Sequence, residues 1–287
     1  MISPLLRKRC WPVWIILATD MRVVMRGGGD LATGVICRLH RAGFSILVLE
    51  LPQPRALRRS VSAAQAVFVG SHEVEGVMFE KVTVPSIEML PENTVPVMVD
   101  PNGVSLTHFR PHVLVDARMK KRNVDCDCGM AEFVVGLGPG FRVGENCHAV
   151  VETQRGHTLG RVYWNGGDAA LPDTGVATVV SGYGDERVLR SPCVGVLESK
   201  FDIGDWLPEG QAAASVNGRD IAAPFAGLLR GLMHSGLTVS ANEKVGDIDP
   251  RDVRQNCFTI SDKALAIGGG VLEAIFVWMR QRGFVVQ

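Results

Sequence analysis

Apolar runs and helically spaced apolar residues alternate near the start of the chain. Residues 23–25 are a short apolar run, which is typical of a buried strand. Apolar residues then recur at helical spacing between Leu31 and Ala42, and a second apolar run at 46–49 ends at Glu50. The pattern predicts a strand, a helix and a second strand, as in a βαβ unit.

The turn between the first predicted strand and the helix is rich in glycine. Residues 27–32 read GGGDLA and fit the pattern G-x-G-x-x-A, which lets a phosphate approach backbone N–H groups at a helix N-terminus. Glu50 stands where such folds bind a ribose hydroxyl, although the Leu51-Pro52 that follows can redirect the chain. The alternative is a tight turn that binds nothing. The candidate cofactor-binding residues of this unit are Gly27, Gly28, Gly29, Asp30, Thr33, Gly34 and Glu50.

Two later apolar runs also end in carboxylates. The run at 95–99 ends at Asp100 and the run at 113–115 ends at Asp116, so both acids are expected at the C-terminal edge of a parallel sheet. A basic stretch at 118–122 follows at once and could hold a phosphorylated cofactor, or could simply be a solvated surface. The candidates here are Asp116, Arg118, Lys121 and Arg122.

A polar segment in the middle of the chain offers groups for proton transfer. After a glycine-rich stretch at 136–140, residues 148–153 are expected to form a strand that places His148 and Glu152 on one face. We assign candidate catalytic roles to His148, Glu152 and His157, and anion binding to Arg155 and Arg161. The prediction is one site shared with the edge at Asp116. The alternative is a polar hairpin at a domain interface.

The C-terminal half contains an internal repeat. Residues 192–204 and 224–236 match at a shift of 32 residues through shared Pro, Gly and Leu positions. Two β units of this length predict a pseudo-twofold sandwich that resembles the biotinyl/lipoyl barrel-sandwich family. The hairpin between the halves, at 216–219, carries Asn217-Gly218 and no lysine, so no swinging arm is expected. Beyond it, Ser261 is a candidate helix cap, and Gly268–Gly270 are expected to begin a last helix.

Composition narrows the function classes. The hydrophobic content is 46%, the formal net charge is zero, and there are only two Tyr and five Trp. Neither nucleic acid nor a membrane is therefore an expected partner. Seven cysteines at irregular spacing suggest a reducing cytoplasm, and Cys126-x-Cys128 has no second Cys pair nearby, so we predict no metal site.

The first twenty residues carry a basic tripeptide at 7–9 and a short apolar run at 11–18. The run is too short for a bilayer span of about 20 residues, and no small-residue cleavage site follows it. We expect residues 1–20 to be an extension outside the folded core, with Met21 as the start of translation.

Several long motifs are spread over the chain from Met21 to about Phe276. They read GGGDLATG, KKRN, GLGPGF, VVETQRGHTLGRV, AP-x-x-G-LLRGL with DIDPR, and SDKALAIGGGVLEAI. Together they resemble one family, the YqeB family of selenium-dependent molybdenum hydroxylase system proteins. The resemblance implies a maturation or accessory role toward molybdenum hydroxylases that carry labile selenium. It implies no particular catalytic residue.

These observations together predict an α/β protein in five parts. They are an extension (1–20), a Rossmann-like nucleotide-binding domain (21–123), a β-rich glycine-loop segment (124–185), a barrel-sandwich unit (186–250) and C-terminal helices (251–287). The expected function is that of a cytoplasmic accessory protein binding a nucleotide or a molybdopterin-type cofactor. Its expected partners are an apo-hydroxylase or other maturation factors, and a homo-oligomer is one possible state. The rival functions are an NAD(P)-dependent oxidoreductase and a non-enzymatic chaperone.

Overall fold

A computed structural model describes residues 14–16, 20–84, 90–122, 124–176 and 179–286. It is a mixed α/β structure with a large, mostly parallel sheet, few helices and a long C-terminal helix. The strands of the first part of the chain are β1 (Trp14–Ile16), β2 (Arg22–Arg26), β3 (Ser45–Glu50), β4 (Ser71–Val74), β5 (Val77–Val82), β6 (Thr94–Val99), β7 (Val113–Asp116), β8 (Phe133–Leu137), β9 (Ala149–Val151) and β10 (Val162–Tyr163).

Nine of these strands form the main sheet, in the order β10-β9-β8-β7-β2-β3-β6-β5-β4. The seven inner strands are parallel, and β10 and β4 add an antiparallel edge on each side. The central strands β2, β7 and β8 are almost entirely buried, which explains why they read as continuous apolar runs. The segment after residue 123 thus contributes three strands to the same sheet as the predicted Rossmann-like domain.

The α-helices of the described residues are α1 (Asp30–Arg41), α2 (Ala66–Val69), α3 (Leu106–Phe109) and α4 (Asp262–Gln281). Alternate residues of the parallel strands face two different cores. Val23 and Met25 pack with α1 and α4 in one core, whereas Val24 packs with Leu47 and Leu114 in the other. The strand, helix and strand predicted for residues 23–50 are confirmed.

The C-terminal β unit, residues 188–249, has its own core and consists of two four-stranded sheets. The sheets have the orders β11-β18-β16-β13 and β15-β14-β12-β17. Their strands are β11 (Val188–Arg190), β12 (Gly195–Ser199), β13 (Trp206–Leu207), β14 (Ala212–Val216), β15 (Arg219–Ala222), β16 (Gly227–Leu232), β17 (Thr238–Val239) and β18 (Lys244–Asp249).

The predicted repeat is visible in this strand order. A shift of 32 residues carries β12, β13 and β14 onto β16, β17 and β18, and each sheet takes its short strand from the other copy. Asn217 and Gly218 form the tight turn between β14 and β15, both with positive φ. The closer likeness to a biotinyl/lipoyl barrel sandwich stays a prediction.

The C-terminal helix differs from expectation. Helix α4 begins at Asp262, where Ser261 Oγ accepts a hydrogen bond from Ala264 N–H, so Gly268–Gly270 lie inside the helix and do not begin it. At Gly268 the lack of a side chain allows close packing, because a Cβ there would lie 2.9 Å from Arg38 Cδ. A last strand, β19 (Phe284–Val286), pairs in parallel with β1. Most of the predicted extension, residues 1–13 and 17–19, lies outside the described residues.

Candidate functional site

The glycine loop, Gly27 to Gly29, connects β2 to α1 and uses each glycine differently. Gly27 has φ +97°, and a Cβ there would lie 3.2 Å from Arg118 backbone atoms. A Cβ on Gly28 would lie 3.0 Å from Ala64 N. Gly29, the residue before α1, has φ −66° and open space where a Cβ would point. Only Gly29 therefore leaves room for a ligand.

The first turn of α1 presents unpaired N–H groups. Gly29 makes no side-chain capping hydrogen bond, and within the described chain no acceptor meets the amides of Asp30, Leu31 or Ala32. Thr33 is buried below them, where its hydroxyl donates to Gly29 O at 2.9 Å and accepts from Ala63 N–H at 2.9 Å. Thr33 thus holds the loop in place and does not line the opening.

Glu50 ends β3 and lies against the glycine loop. Its Oε2 accepts from Gly28 N–H at 2.6 Å and its Oε1 accepts from Leu51 N–H at 2.7 Å. Burial raises the pKa of the carboxyl, although these two hydrogen bonds oppose the shift. The side chain therefore occupies one amide of the loop while it lines the cleft described next.

A cleft of about 1560 Å³ opens in front of the glycine loop, between the main sheet, the start of α4 and the C-terminal β unit. Its described lining contains thirteen Lys or Arg and eight Asp or Glu side chains, an excess of five positive charges in a chain of zero formal net charge. No His, Phe, Tyr, Trp or Cys is part of this lining. The cleft is suited to an anionic ligand and offers no aromatic ring for stacking.

Buried cations from distant parts of the sequence meet at this cleft. Arg58, Arg187 and Arg230 line it, and the Nε atom of each is buried without a hydrogen-bond partner among the described residues. Arg58 Nη1 lies 3.5 Å from Asp30 Oδ2, and Arg187 Nη1 lies 3.2 Å from Asp247 Oδ2. Buried donors of this kind are costly unless an acceptor reaches them.

Two further lysines of the lining come from the C-terminal β unit and from α4. Lys244 begins β18 and Lys263 lies in the first turn of α4. Burial lowers the pKa of both, and nearby Asp30 opposes the shift in each case. Neither Nζ makes a hydrogen bond within the described structure, so both remain available to a ligand.

The residues of the basic stretch at 118–122 differ in their ion-pair partners and in whether they line the cleft. Arg118 lines the cleft, but its guanidinium donates to both carboxylate oxygens of buried Asp116 and to Asp125, which raises its pKa against the effect of burial. Lys121 also lines the cleft, and its Nζ lies 2.8 Å from Asp173 Oδ2. Arg122 is exposed and not part of the lining. Asp116 thus supports Arg118 and offers no free oxygen to a ligand.

One residue of the predicted polar segment at 136–161 lines the cleft. Arg155 forms a two-bond ion pair with Asp262 at the start of α4, at 2.7 and 2.6 Å, and this contact lowers the pKa of Asp262. Exposed Arg161 does not line the cleft, and neither does exposed His157. Arg155 is the member of the segment that the structure brings to the glycine loop.

His148 and Glu152 lie outside the lining as well. His148 precedes β9, where its Nδ1 accepts from Val134 N–H at 2.9 Å, and burial lowers its pKa. Glu152 follows β9 and is fully buried, accepting from the N–H groups of Thr153, Gln154 and Leu171. The expected shared strand face is not formed, because β9 covers only Ala149–Val151 and lies between the two residues. Four residues of extended chain, about 13 Å, put them at opposite edges of the sheet.

Gly34 also serves packing. A Cβ on Gly34 would lie 2.6 Å from Ala264 Cβ, because α1 and α4 touch at this point. The site residues that the sequence did not single out are Arg187, Arg230, Lys244 and Lys263. Arg230 interrupts an apolar strand, GLLRGL, and a charge in a buried strand was the available signal.

Two of the described cysteines lie in surroundings that disfavour the reactive thiolate. Cys126 and Cys147 are buried, and burial raises the pKa of each thiol to about 12. No group of three or more His, Cys, Asp or Glu side chains in the described chain could hold a metal ion. None of the described helices has the length and apolar character needed to cross a membrane.

The chain is similar in sequence to a known protein over most of its length. No family model matches the chain. Among solved structures, an aspartoacylase family protein from Mesorhizobium loti is 12% identical, with 80% of this chain and 86% of that chain covered; its TM-score of 0.26 is too low to bear on the fold. "Uncharacterized protein YqeB" from Escherichia coli (strain K12) is 43% identical over 261 residues, which is 90% of this chain and 48% of that protein. The chain thus spans about half the length of the relative it matches. This identity over most of the chain supports the resemblance of its motifs to the YqeB family.

Proposed function

We propose that the cleft binds a phosphate-bearing cofactor, either a nucleotide or a molybdopterin-type cofactor. One observation carries the proposal: unpaired N–H groups at the start of α1 open into a cleft whose described lining has five excess positive charges. Helix N-termini bind phosphate because their amides and their dipole both favour a negative group. The cations around them strengthen that preference.

The lining suggests a role for each part of the ligand. A phosphate group would accept from the amides of Asp30 and Leu31 and lie near Lys263. Glu50 would accept a hydrogen bond from a hydroxyl of the ligand once its hydrogen bond from Gly28 N–H is broken. A ring system would lie against aliphatic side chains, since the described lining holds no aromatic residue. The donor set fits phosphate and does not choose between a pterin and a nucleobase.

The wider role that we propose is that of an accessory protein in the maturation of selenium-dependent molybdenum hydroxylases. Its support is the set of YqeB-like motifs, several of which contribute to the cleft: GGGDLATG supplies Asp30, LLRGL supplies Arg230 and SDKALA supplies Lys263. The apo-hydroxylase or another maturation factor would be the partner, in the cytoplasm. The C-terminal β unit, if it is a barrel sandwich, would act as a rigid wall of the site.

An NAD(P)-dependent oxidoreductase is the second candidate, and the position of Glu50 favours it. Glu50 ends the strand that follows the glycine-loop helix, as in dinucleotide-binding folds. The described lining holds no His, so proton transfer beside a nicotinamide would fall to Lys244, Lys263 or a carboxylate. The oxidoreductase predicts bound NAD(P) and its turnover, whereas the accessory role predicts neither.

Gly29→Val tests the phosphate site. The backbone at Gly29 suits any residue and its Cβ would meet nothing within 4 Å, so the fold should survive while the valine fills the space of the phosphate. We expect the dissociation constant for the ligand to rise at least tenfold, about 1.4 kcal/mol, in calorimetric titration. Gly166→Val is the matched control, because Gly166 is also open but lies outside the lining. Parental affinity in a folded Gly29→Val protein would contradict the proposal.

The ligand itself is identified by mass spectrometry of small molecules released from the purified protein. A pterin or nucleotide would support the proposal, and activity of a molybdenum hydroxylase produced with and without this protein would test the accessory role. A gain in hydroxylase activity that Gly29→Val leaves intact would instead favour a chaperone that needs no small ligand.

A further inference from the structure

The C-terminal β unit supplies a cationic group of its own. Arg187 and its partner Asp247 are both more than nine-tenths buried, with 8% and 7% of their side chains exposed. Lys244 also interacts electrostatically with Arg187, Arg190 and Asp247. Asp247 and Asp185, which pairs with Arg190, are thus two carboxylates among three cations, and the Nε of Arg187 has no hydrogen-bond partner in the described structure.

A separate cationic group surrounds the start of α4. Lys263 interacts with Asp30, Arg155 and Lys121, and it lies beside the first turn of α1. Asp30 raises the pKa of both Lys263 and Lys244, so its carboxylate is near both lysines. A negative charge at that position disfavours one anion that covers both groups and favours one anion on each side.

The size of the cleft agrees with a long ligand. Pockets for small molecules usually enclose roughly 300–1,000 Å³. This cleft is about 1560 Å³. One phosphate at the glycine loop would leave most of the volume, and the whole cationic group of the β unit, without a ligand. Buried donors are costly without an acceptor, and the buried Nε atoms of Arg58 and Arg187 have no hydrogen-bond partner among the described residues, so an anion in the cleft would stabilise them.

We infer that the cleft binds a ligand with two separate anionic groups, one at the start of α1 beside Lys263 and the other on the C-terminal β unit beside Lys244 and Arg187. The first position rests on the proposed function, and the second does not. A nucleotide that carries a further phosphate on its ribose, or another cofactor with anions at two points, has this chemistry. The β unit thereby selects ligands by their second charge.

Inorganic phosphate tests the inference, because it is small enough to occupy each position independently. Equilibrium dialysis of the full chain should show two phosphates bound per chain. Lys244→Met and Lys263→Met should each leave one, with the lost phosphate weakened more than tenfold. Lys200→Met is the control, since Lys200 pairs with Asp220 on the β unit outside the described lining. It should leave both phosphates bound.

Double variants show which position each lysine serves. Gly29→Val with Lys263→Met should still bind one phosphate, because both changes affect the same position, whereas Gly29→Val with Lys244→Met should bind none. Thermal unfolding confirms that each variant folds. A parent protein that binds a single phosphate, or a Lys244→Met protein that keeps two, would overturn the inference and leave the glycine-loop site standing. If Lys244→Met lost a bound phosphate while Gly29→Val bound as many phosphates as the parent, the glycine-loop site would be overturned. Absence of any phosphate binding would overturn both.

Discussion

Two carboxylates at the C-terminal edge of the main sheet show how differently one residue type is used. Glu50 is the last residue of β3 and Glu152 directly follows β9, and each accepts hydrogen bonds from backbone N–H groups. Glu50 uses two amides and faces the cleft. Glu152 uses three, is fully buried, and ties the chain at 153–154 to Leu171. Residue type and strand position are alike, so only the surroundings separate a ligand contact from a structural tie.

Glu152→Gln should therefore destabilise the protein. An amide cannot accept at both ends, so its NH₂ group would face at least one of the three backbone N–H donors in a buried site. We expect a loss of about 2 kcal/mol in the free energy of unfolding, measured with urea. His157→Ala is the comparison, because His157 is exposed; it should change stability by less than about 0.5 kcal/mol. Equal effects of the two changes would count against this role for Glu152.

Helices α1 and α4 meet through glycine near their N-terminal ends. Gly34 is the fifth residue of α1 and lies against Ala264, the third residue of α4, while Gly268 lies against Arg38 and Gly34. The close approach brings the starts of both helices, Asp30 and Asp262, to the same cleft. Their dipoles add at that place, so the packing of two helices also shapes the electrostatics of the site.

Gly34→Ala tests the close approach. The added Cβ would lie 2.6 Å from Ala264 Cβ and 2.9 Å from Ala264 C, so the helices must separate. We expect a loss of about 1–3 kcal/mol in the free energy of unfolding. Gly269→Ala is the matched control inside α4, since nothing lies within 4 Å of its Cβ; it should stabilise the protein by up to about 1 kcal/mol. A neutral Gly34→Ala would mean that the helices pack less tightly than described.

At the scale of the whole molecule, the cleft collects charge that the sequence spreads widely. The chain has 30 basic and 30 acidic residues, yet the described cleft lining has five more cations than anions. The cations come from β2, from the segments after β3, β7 and β9, from the C-terminal β unit and the residues next to it, and from α4. Because water is partly excluded there, their charges act more strongly on a ligand than surface charges would.

Anion binding should accordingly weaken at alkaline pH. Burial lowers the pKa of Lys244 and Lys263 below the ordinary value of 10.5, so both lose their charge at lower pH than exposed lysines do. Phosphate affinity should be full at neutral pH and fall as the pH rises through these lowered pKa values, as measured by dialysis. The ligand-free protein should gain stability over the same range, because the unfolded chain then holds more protons than the native one. Affinity that stays constant to about pH 10.5 would contradict the assignment.

Local patterns were sufficient for the elements that fold by local rules. Periodicity and the glycine loop predicted β2, α1 and β3, and the repeat predicted the matching strands of the β unit. Glycines inside a helix were misread, because what keeps Gly268 in α4 is contact with α1, which is distant in sequence. The same limit applies to His148: alternation placed it on a face, but the edge of the sheet it occupies depends on which strands pair.

The sequence alone determined the glycine loop, the strand and helix order around it, the repeat and the family resemblance, because these depend on neighbours a few residues apart. Tertiary structure decided the cleft. Arg58, Arg187, Lys244 and Lys263 are far apart along the chain and meet only when the β unit packs against the glycine-loop side of the sheet. Which charges remain available to a ligand was also decided there, since Arg118 and Arg155 are paired with carboxylates, while Lys244 and Lys263 have no hydrogen-bond partner among the described residues. Charge pairing acts through space, and sequence distance carries no record of it.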